Sequence, residues 1–162
     1  MQPVLNIGVR AARRAGEIIV RSMNRLHMLD VRAKGHNDFG SEVDMHAEAE
    51  IIATIRKSYP DHGFLGEESG RSGNDENLWI IDPLDGTTNF LHGIPLFAIS
   101  IAVQEPDRSG KGWGEVTTGL IYQPVLDETF WAEKSRGAWR HDLRLRVSAR
   151  RDLADAVIAT GI

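Results

Sequence analysis

The side chains of this chain best suited to chemistry are carboxylates and hydroxyls gathered around glycine-rich turns. The most informative run is Trp79-Ile80-Ile81-Asp82-Pro83-Leu84-Asp85-Gly86-Thr87-Thr88-Asn89-Phe90. An apolar strand ends in Asp82, a proline sets the direction of exit, and Asp85-Gly86 makes a tight turn. Two carboxylates held by such a turn can bridge hard cations through oxygen. The Leu84 carbonyl lies between them and can join the coordination, which leaves that side chain free to be apolar. Thr87, Thr88 and Asn89 then open a short helix whose free backbone N–H groups suit an anion. Taken alone, the run also reads as a surface turn with incidental acids.

Two further acidic features lie upstream. Gly66-Glu67-Glu68-Ser69-Gly70 puts adjacent carboxylates at a strand end, where they repel unless solvent, a cation or a base compensates. With strand geometry they point to opposite sides, one toward a metal and the other toward a water or a ligand. Ser41-Glu42-Val43-Asp44 reads first as a helix cap with Asp44 as the partner of Ser41. Beside a metal cluster, Asp44 would instead orient a water. Glu67, Glu68, Asp82 and Asp85 all leave neighbouring strand-to-turn exits, and without cations such a cluster opposes folding or raises pKa values. A pair of Mg²⁺ ions would neutralise it, bind a phosphate ester, lower the pKa of a bound water and stabilise the departing alkoxide.

These groups need elements to hold them. From Val4 to Leu26 a helical period places Val4, Ile7, Gly8, Ala11, Ala15, Ile18, Ile19, Ser22 and Leu26 on one sector, with arginines outside it. Residues 30–40 turn polar and read as a loop. A second helix is predicted after Ser41, with Met45, Ile51, Ile52, Ile55 and Tyr59 on its apolar side and Pro60 as its stop. Glu48 falls on that same side, a misfit that marks an edge position or a buried partner. Beyond residue 60, short strands are predicted at Gly63–Gly66, Leu78–Ile81, Phe97–Val103, Val116–Tyr122, Thr129–Ala132 and Leu143–Val147, with another beginning at Ala156–Ala159. Two helices followed by hairpin-like strands give an α+β domain.

Composition narrows the function classes. The chain has 162 residues, room for one ordinary domain, and 19 Lys and Arg against 23 Asp and Glu give a net charge of -4. That balance argues against nucleic-acid binding driven by bulk charge. There is no Cys, so disulfides, thiolate metal sites and cysteine nucleophiles are excluded. The six histidines show no metal-ligand spacing. Trp113, Trp131 and Trp139 suit strand core or subunit contacts better than base stacking, and Arg13, Arg14, Arg21 and Arg25 form a solvated helix face. With no signal-like segment and no apolar run long enough for a bilayer, the expected location is the cytoplasm, away from membranes.

The acidic constellation is where the chain resembles the inositol monophosphatase family, among the Mg²⁺-dependent, lithium-sensitive sugar and nucleotide phosphatases, and most of all its bacterial branch. Gly66-Glu67-Glu68 and Trp79 to Phe90 carry the resemblance, in the family's order. Lys34, Asp44, Tyr59-Pro60 and Arg146-Val147-Ser148 support it, and it runs from about Leu5 to Gly161. The departures are Phe39-Gly40-Ser41-Glu42, where relatives commonly have Val-Thr before the acid, and His141-Asp142, where Asn-Gly is frequent.

The resemblance implies that two N-terminal helices pack on a largely antiparallel sheet, the first part of a layered α-β-α-β-α sandwich. Residues 1–162 would form the N-terminal metal-binding domain, with the family's C-terminal domain absent and one side of the sheet uncovered. Glu67, Asp82 and the Leu84 carbonyl would bind a first Mg²⁺, and Asp82 and Asp85 a second. Glu67 would also help hold a third through water. Thr87, with Asp44 or Glu67, would orient the metal-bound water, and the Gly86 and Thr87 N–H groups would hold phosphate oxygens. Glu68 would support the ligands from behind, and Lys34 would lie near the outer metal. The implied activity is hydrolysis of inositol monophosphate to inositol and phosphate by a homodimer. The alternatives are another small sugar or nucleotide phosphate as substrate, or a regulatory protein associated with RNA or the transcription machinery that keeps a vestigial metal site.

Overall fold

The computed structural model describes residues 3–26, 35–74, 76–107 and 114–158, with backbone only for 35–39. Helix α1 spans Pro3–Met23 and buries Leu5, Gly8, Ala11, Ala12, Ala15, Gly16 and Ile19, largely the predicted stripe of small and branched residues. Helix α2 spans Gly35–Arg56 and packs along α1. It begins before Ser41, so Ser41 lies inside the helix and the predicted capping box does not form. The helix thus includes a polar start that local composition reads as loop, and its later turns are the ones packed against the core. Its buried face is also rotated from the prediction: Met45 is exposed, whereas Val43, Asp44, Ala47, Glu48, Ile51, Thr54 and Ile55 turn inward.

The remaining chain forms an eight-stranded sheet in the order β2-β1-β3-β4-β5-β6-β7-β8. The strands are β1 (Gly63–Gly66), β2 (Gly70–Gly73), β3 (Leu78–Asp85), β4 (Ala98–Gln104), β5 (Val116–Gln123), β6 (Glu128–Glu133), β7 (Gly137–Arg140) and β8 (Leu143–Arg144). A short helix α3 (Thr87–Leu91) follows β3. Neighbouring strands are antiparallel except β1 and β3, which run parallel with Gly66 opposite Ile81. The sheet is thus largely antiparallel, as expected of this α+β domain, and its one parallel pair matters for the site. Strand β8 stops at Arg144, short of the predicted Val147. Residues 156–158 are not a strand, and Ala159 lies outside the described residues; a single 3₁₀ turn at Leu153–Asp155 precedes them.

Both helices cover one face of the sheet, where Phe64, Trp79, Ile81, Ile99, Ile101, Val103, Leu120 and Tyr122 are buried with them in one core. Trp79 donates its indole N–H to His62 Nδ1 at 2.9 Å, and Tyr59 stacks on His62 at 4.5 Å. The segment that links α2 to β1 is thereby tied to β3, and burial pushes the His62 pKa below the usual histidine range. Small residues let α1 approach β5: a Cβ added at Gly16 would lie 2.7 Å from the Tyr122 ring and 3.0 Å from Pro124. Overpacking of this kind costs about 1–3 kcal/mol. Gly16→Ala is therefore expected to lower unfolding stability by that amount, read as a lower urea midpoint at unchanged slope.

On the other face of the sheet, the described residues leave an apolar surface. Ser100, Ala102, Gly119, Ile121, Phe130, Ala132 and Ala138 contribute to a shallow apolar hollow of about 310 Å³, and Ile121 is 49% exposed.

Candidate active site

Parallel pairing of β1 and β3 brings their C-terminal ends together, and the residue after each pair of ends is a carboxylate. Gly66 lies opposite Ile81, so Glu67 and Asp82 emerge side by side. The Glu67 N–H donates to the Ile81 carbonyl at 3.1 Å, which extends the ladder into the turn. The Glu67 and Asp82 side chains come within hydrogen-bonding reach of each other, and Asp82 also senses the charge of Asp85. Burial raises the Asp82 carboxyl to about 6, reinforced by the Glu67 charge, that close contact and Asp85; the Leu84 N–H, donating to Asp82 Oδ1 at 3.2 Å, works the other way. Glu67 and Glu68 lie in the turn between β1 and β2 rather than in a strand, so they do not alternate across a sheet as strand geometry predicts.

At the end of β3 the chain turns sharply. Its register against β4 shifts between Asp82 and Asp85. Gly86 takes φ 95°, a left-handed conformation that glycine adopts without the cost of a Cβ, and α3 begins at Thr87 as the sequence predicts. The Thr87 hydroxyl donates to the Leu84 carbonyl at 3.0 Å, fixing that oxygen and the hydroxyl together. Asp85 is exposed at the same turn.

Helix α2 supplies the third wall. Asp44 is 7% exposed, and its Oδ1 has no hydrogen-bond partner among the described residues. Burial, followed by the charges of Glu68, Glu67, Asp82 and Glu48, pushes its pKa up to about 7. One helical turn on, Glu48 is 2% exposed and accepts the backbone N–H groups of Glu68 and Ser69, each at 2.9 Å. The predicted misfit at Glu48 is therefore a buried partner. Composition marks it as unusual, but its acceptor role joins residues twenty positions apart and has no local signal. Lys34 lies outside the described residues.

The site is thus a set of oxygen donors with a deficit of positive charge. Among the described residues, no three His, Asp or Glu side chains already form a closed cage for an ion. The donor chemistry nevertheless fits a hard divalent cation: carboxylates from two strand ends, a fixed carbonyl and a buried oxygen without a partner.

Comparison with known proteins places the chain as a whole. The chain is 48% identical over 165 aligned residues to a protein of Pseudomonas aeruginosa named Nus factor SuhB, covering 99% of this chain and 58% of that protein. A crystal structure of the extragenic suppressor protein suhB from Bartonella henselae superposes with a TM-score of 0.80 at 43% identity, over 95% of this chain and 58% of that one. The inositol monophosphatase from Anabaena (Nostoc) sp. PCC 7120 superposes with a TM-score of 0.72 at 34% identity, over 90% of this chain and 50% of that one. The chain accordingly spans little more than half the length of these relatives. Its residues 1–162 match the family as a whole, and the chain belongs to the inositol monophosphatase family.

Proposed function

We propose that this chain is the metal-binding part of a cytoplasmic phosphomonoesterase that hydrolyses inositol monophosphate to inositol and phosphate with Mg²⁺. The observation that carries the reading is the meeting of Glu67 and Asp82 at two parallel strand ends, within hydrogen-bonding reach of each other, beside Asp85 and the Asp44 oxygen that has no partner among the described residues. Glu67, Asp82, Asp85 and the Leu84 carbonyl would hold the ions. Mg²⁺ so held supplies charge neutralisation for the phosphate ester and acidification of water.

The chain's own groups would do the rest. Thr87, with Asp44 or Glu67 as acceptor, would orient the attacking water in line with the phosphorus. The Gly86 and Thr87 N–H groups would hold phosphate oxygens at the positive end of α3. Glu68 would support the turn, and Lys34 the outer side of the site. The whole protein would act as a homodimer on a small phosphorylated polyol. A second reading, in which the protein associates with RNA or the transcription machinery, is favoured by the likeness to proteins named Nus factor SuhB.

Phosphate release from inositol 1-phosphate, measured with and without Mg²⁺, tests the proposal on this chain and on a form extended to the relatives' length. Little turnover is expected from the chain and clear Mg²⁺-dependent turnover from the extended form. Equal rates would show that the further half is not needed. No Mg²⁺-dependent release from either form would sink the phosphatase reading and leave the regulatory one.

A further inference from the structure

We infer that Glu48 is a positioning residue: its carboxylate clamps the turn Glu67-Glu68-Ser69 so that the Glu67 side chain stands ready beside Asp82 to receive a divalent cation. The inference rests on the metal-binding reading above and concerns a residue that does not itself reach the ion. Glu48 lies on the buried face of α2, at 2% exposure, one turn beyond Asp44. A carboxylate so placed, within an acidic cluster, is costly to bury unless its oxygens are satisfied. Here each is: Oε2 accepts from the Glu68 N–H and Oε1 from the Ser69 N–H, both at 2.9 Å. Both oxygens are thus turned to the backbone, which gives Glu48 the role of a brace in place of a ligand.

Three consecutive backbone N–H groups fix the turn. The Glu67 N–H is held by the Ile81 carbonyl of β3, and the next two are held by Glu48 of α2. The backbone of Glu67 is therefore pinned between the strand that carries Asp82 and the helix that carries Asp44. Its carboxylate lies within hydrogen-bonding reach of Asp82. The absence of a side chain at Gly66 is part of the same device. A Cβ there would lie 2.3–2.4 Å from the Glu48 carboxylate, in the space that the clamp occupies. Glycine at 66 lets the brace reach the two amides across the end of β1.

The test uses the full chain with Mg²⁺ alone as the probe. Glu48→Gln keeps the volume but leaves one acceptor oxygen and turns an NH₂ group toward an N–H donor. Two readouts are expected to move together at a temperature where both proteins are folded. Hydrogen exchange at the Glu68 and Ser69 amides, measured in chelator, should accelerate at least about tenfold as the turn loosens. The Kd for Mg²⁺ should rise roughly 10- to 100-fold, the usual loss when a partner that orients a ligand is removed. A merely structural Glu48 would lower the melting temperature and leave the Mg²⁺ affinity of the folded molecules unchanged, and that result would overturn the inference.

Gly66→Ala displaces the same carboxylate from the other side and should give the same pair of changes. If neither variant folds, exchange in the unaltered chain decides: Glu68 and Ser69 amides as unprotected as those of exposed loops would remove the clamp. An unaltered chain that fails to bind Mg²⁺ overturns the metal-binding reading and this inference with it. Mg²⁺ binding that is equal in the unaltered chain and in Glu48→Gln overturns this inference alone.

Discussion

Asp82→Asn is expected to abolish Mg²⁺-dependent phosphatase activity in the extended protein, by on the order of a thousandfold or more, while leaving the metal-free fold intact or firmer. Asp82 holds the centre of the site. It leaves β3 beside Glu67, comes within hydrogen-bonding reach of it, and lies within the field of Asp85. In the proposed arrangement it serves both ions, so its loss removes charge from each. Even partners that merely orient a ligand are worth 10- to 100-fold in metal affinity, and loss of one preorganised electrostatic contact costs about 10²–10³ in rate. Without metal the sign reverses. The Asp82 carboxyl is raised to about 6 by burial and neighbouring acids, so the charge it carries at neutrality costs the folded state stability. The amide relieves that penalty. Melting temperatures should therefore show no gain on adding Mg²⁺ to the variant, against a clear gain in the parent. Asp85→Asn is expected to lose turnover as well, and unchanged Mg²⁺ affinity in that variant would remove Asp85 from the ligands.

What could be read from the chain alone follows the range of the interactions. Asp82, Leu84, Asp85, Gly86 and Thr87 are neighbours in sequence, and their contacts are local: the Asp82 side chain accepts the Leu84 N–H, and Thr87 donates to the Leu84 carbonyl. A strand, a turn and a helix start are enough to predict that grouping. The small-residue stripe of α1 is legible for the same reason, because helical period is a local signal.

The elements that sequence reasoning misplaced are those decided by distant partners. Helix α2 starts at Gly35 because its inward face is held by α1 and the sheet, which no cap at Ser41 reports. Strands β2 and β7, Gly70–Gly73 and Gly137–Arg140, are short and rich in glycine or charge, and exist through pairing with β1 and β6. The parallel register of β1 and β3 is of the same kind. It places Glu67 next to Asp82, and no spacing between residues 67 and 82 specifies it. Glu48 was visible only as a misfit, since its partners lie at 68 and 69.

The acid cluster also predicts how the metal-free protein responds to pH. Asp44 is 7% exposed, and its pKa rises from 3.8 to about 7, first through burial and then through the charges of Glu68, Glu67, Asp82 and Glu48. A carboxyl with a raised pKa binds its proton more tightly when folded than when unfolded. Its contribution to stability is thus complete below pH 3.8 and is lost as the pH climbs through about 7. Each pKa unit is worth about 1.4 kcal/mol, so the charged form of Asp44 costs about 4 kcal/mol above neutrality, of which about 3 kcal/mol is lost between pH 5 and 8. In chelator, the parent should lose that much stability relative to Asp44→Asn between pH 5 and 8, measured by urea denaturation at each pH. Saturating Mg²⁺ should close most of the gap, because cations beside Glu67 and Asp82 cancel the field that Asp44 feels. Parallel pH profiles for parent and variant in chelator would show that Asp44 is solvated, or paired with a group that already neutralises it.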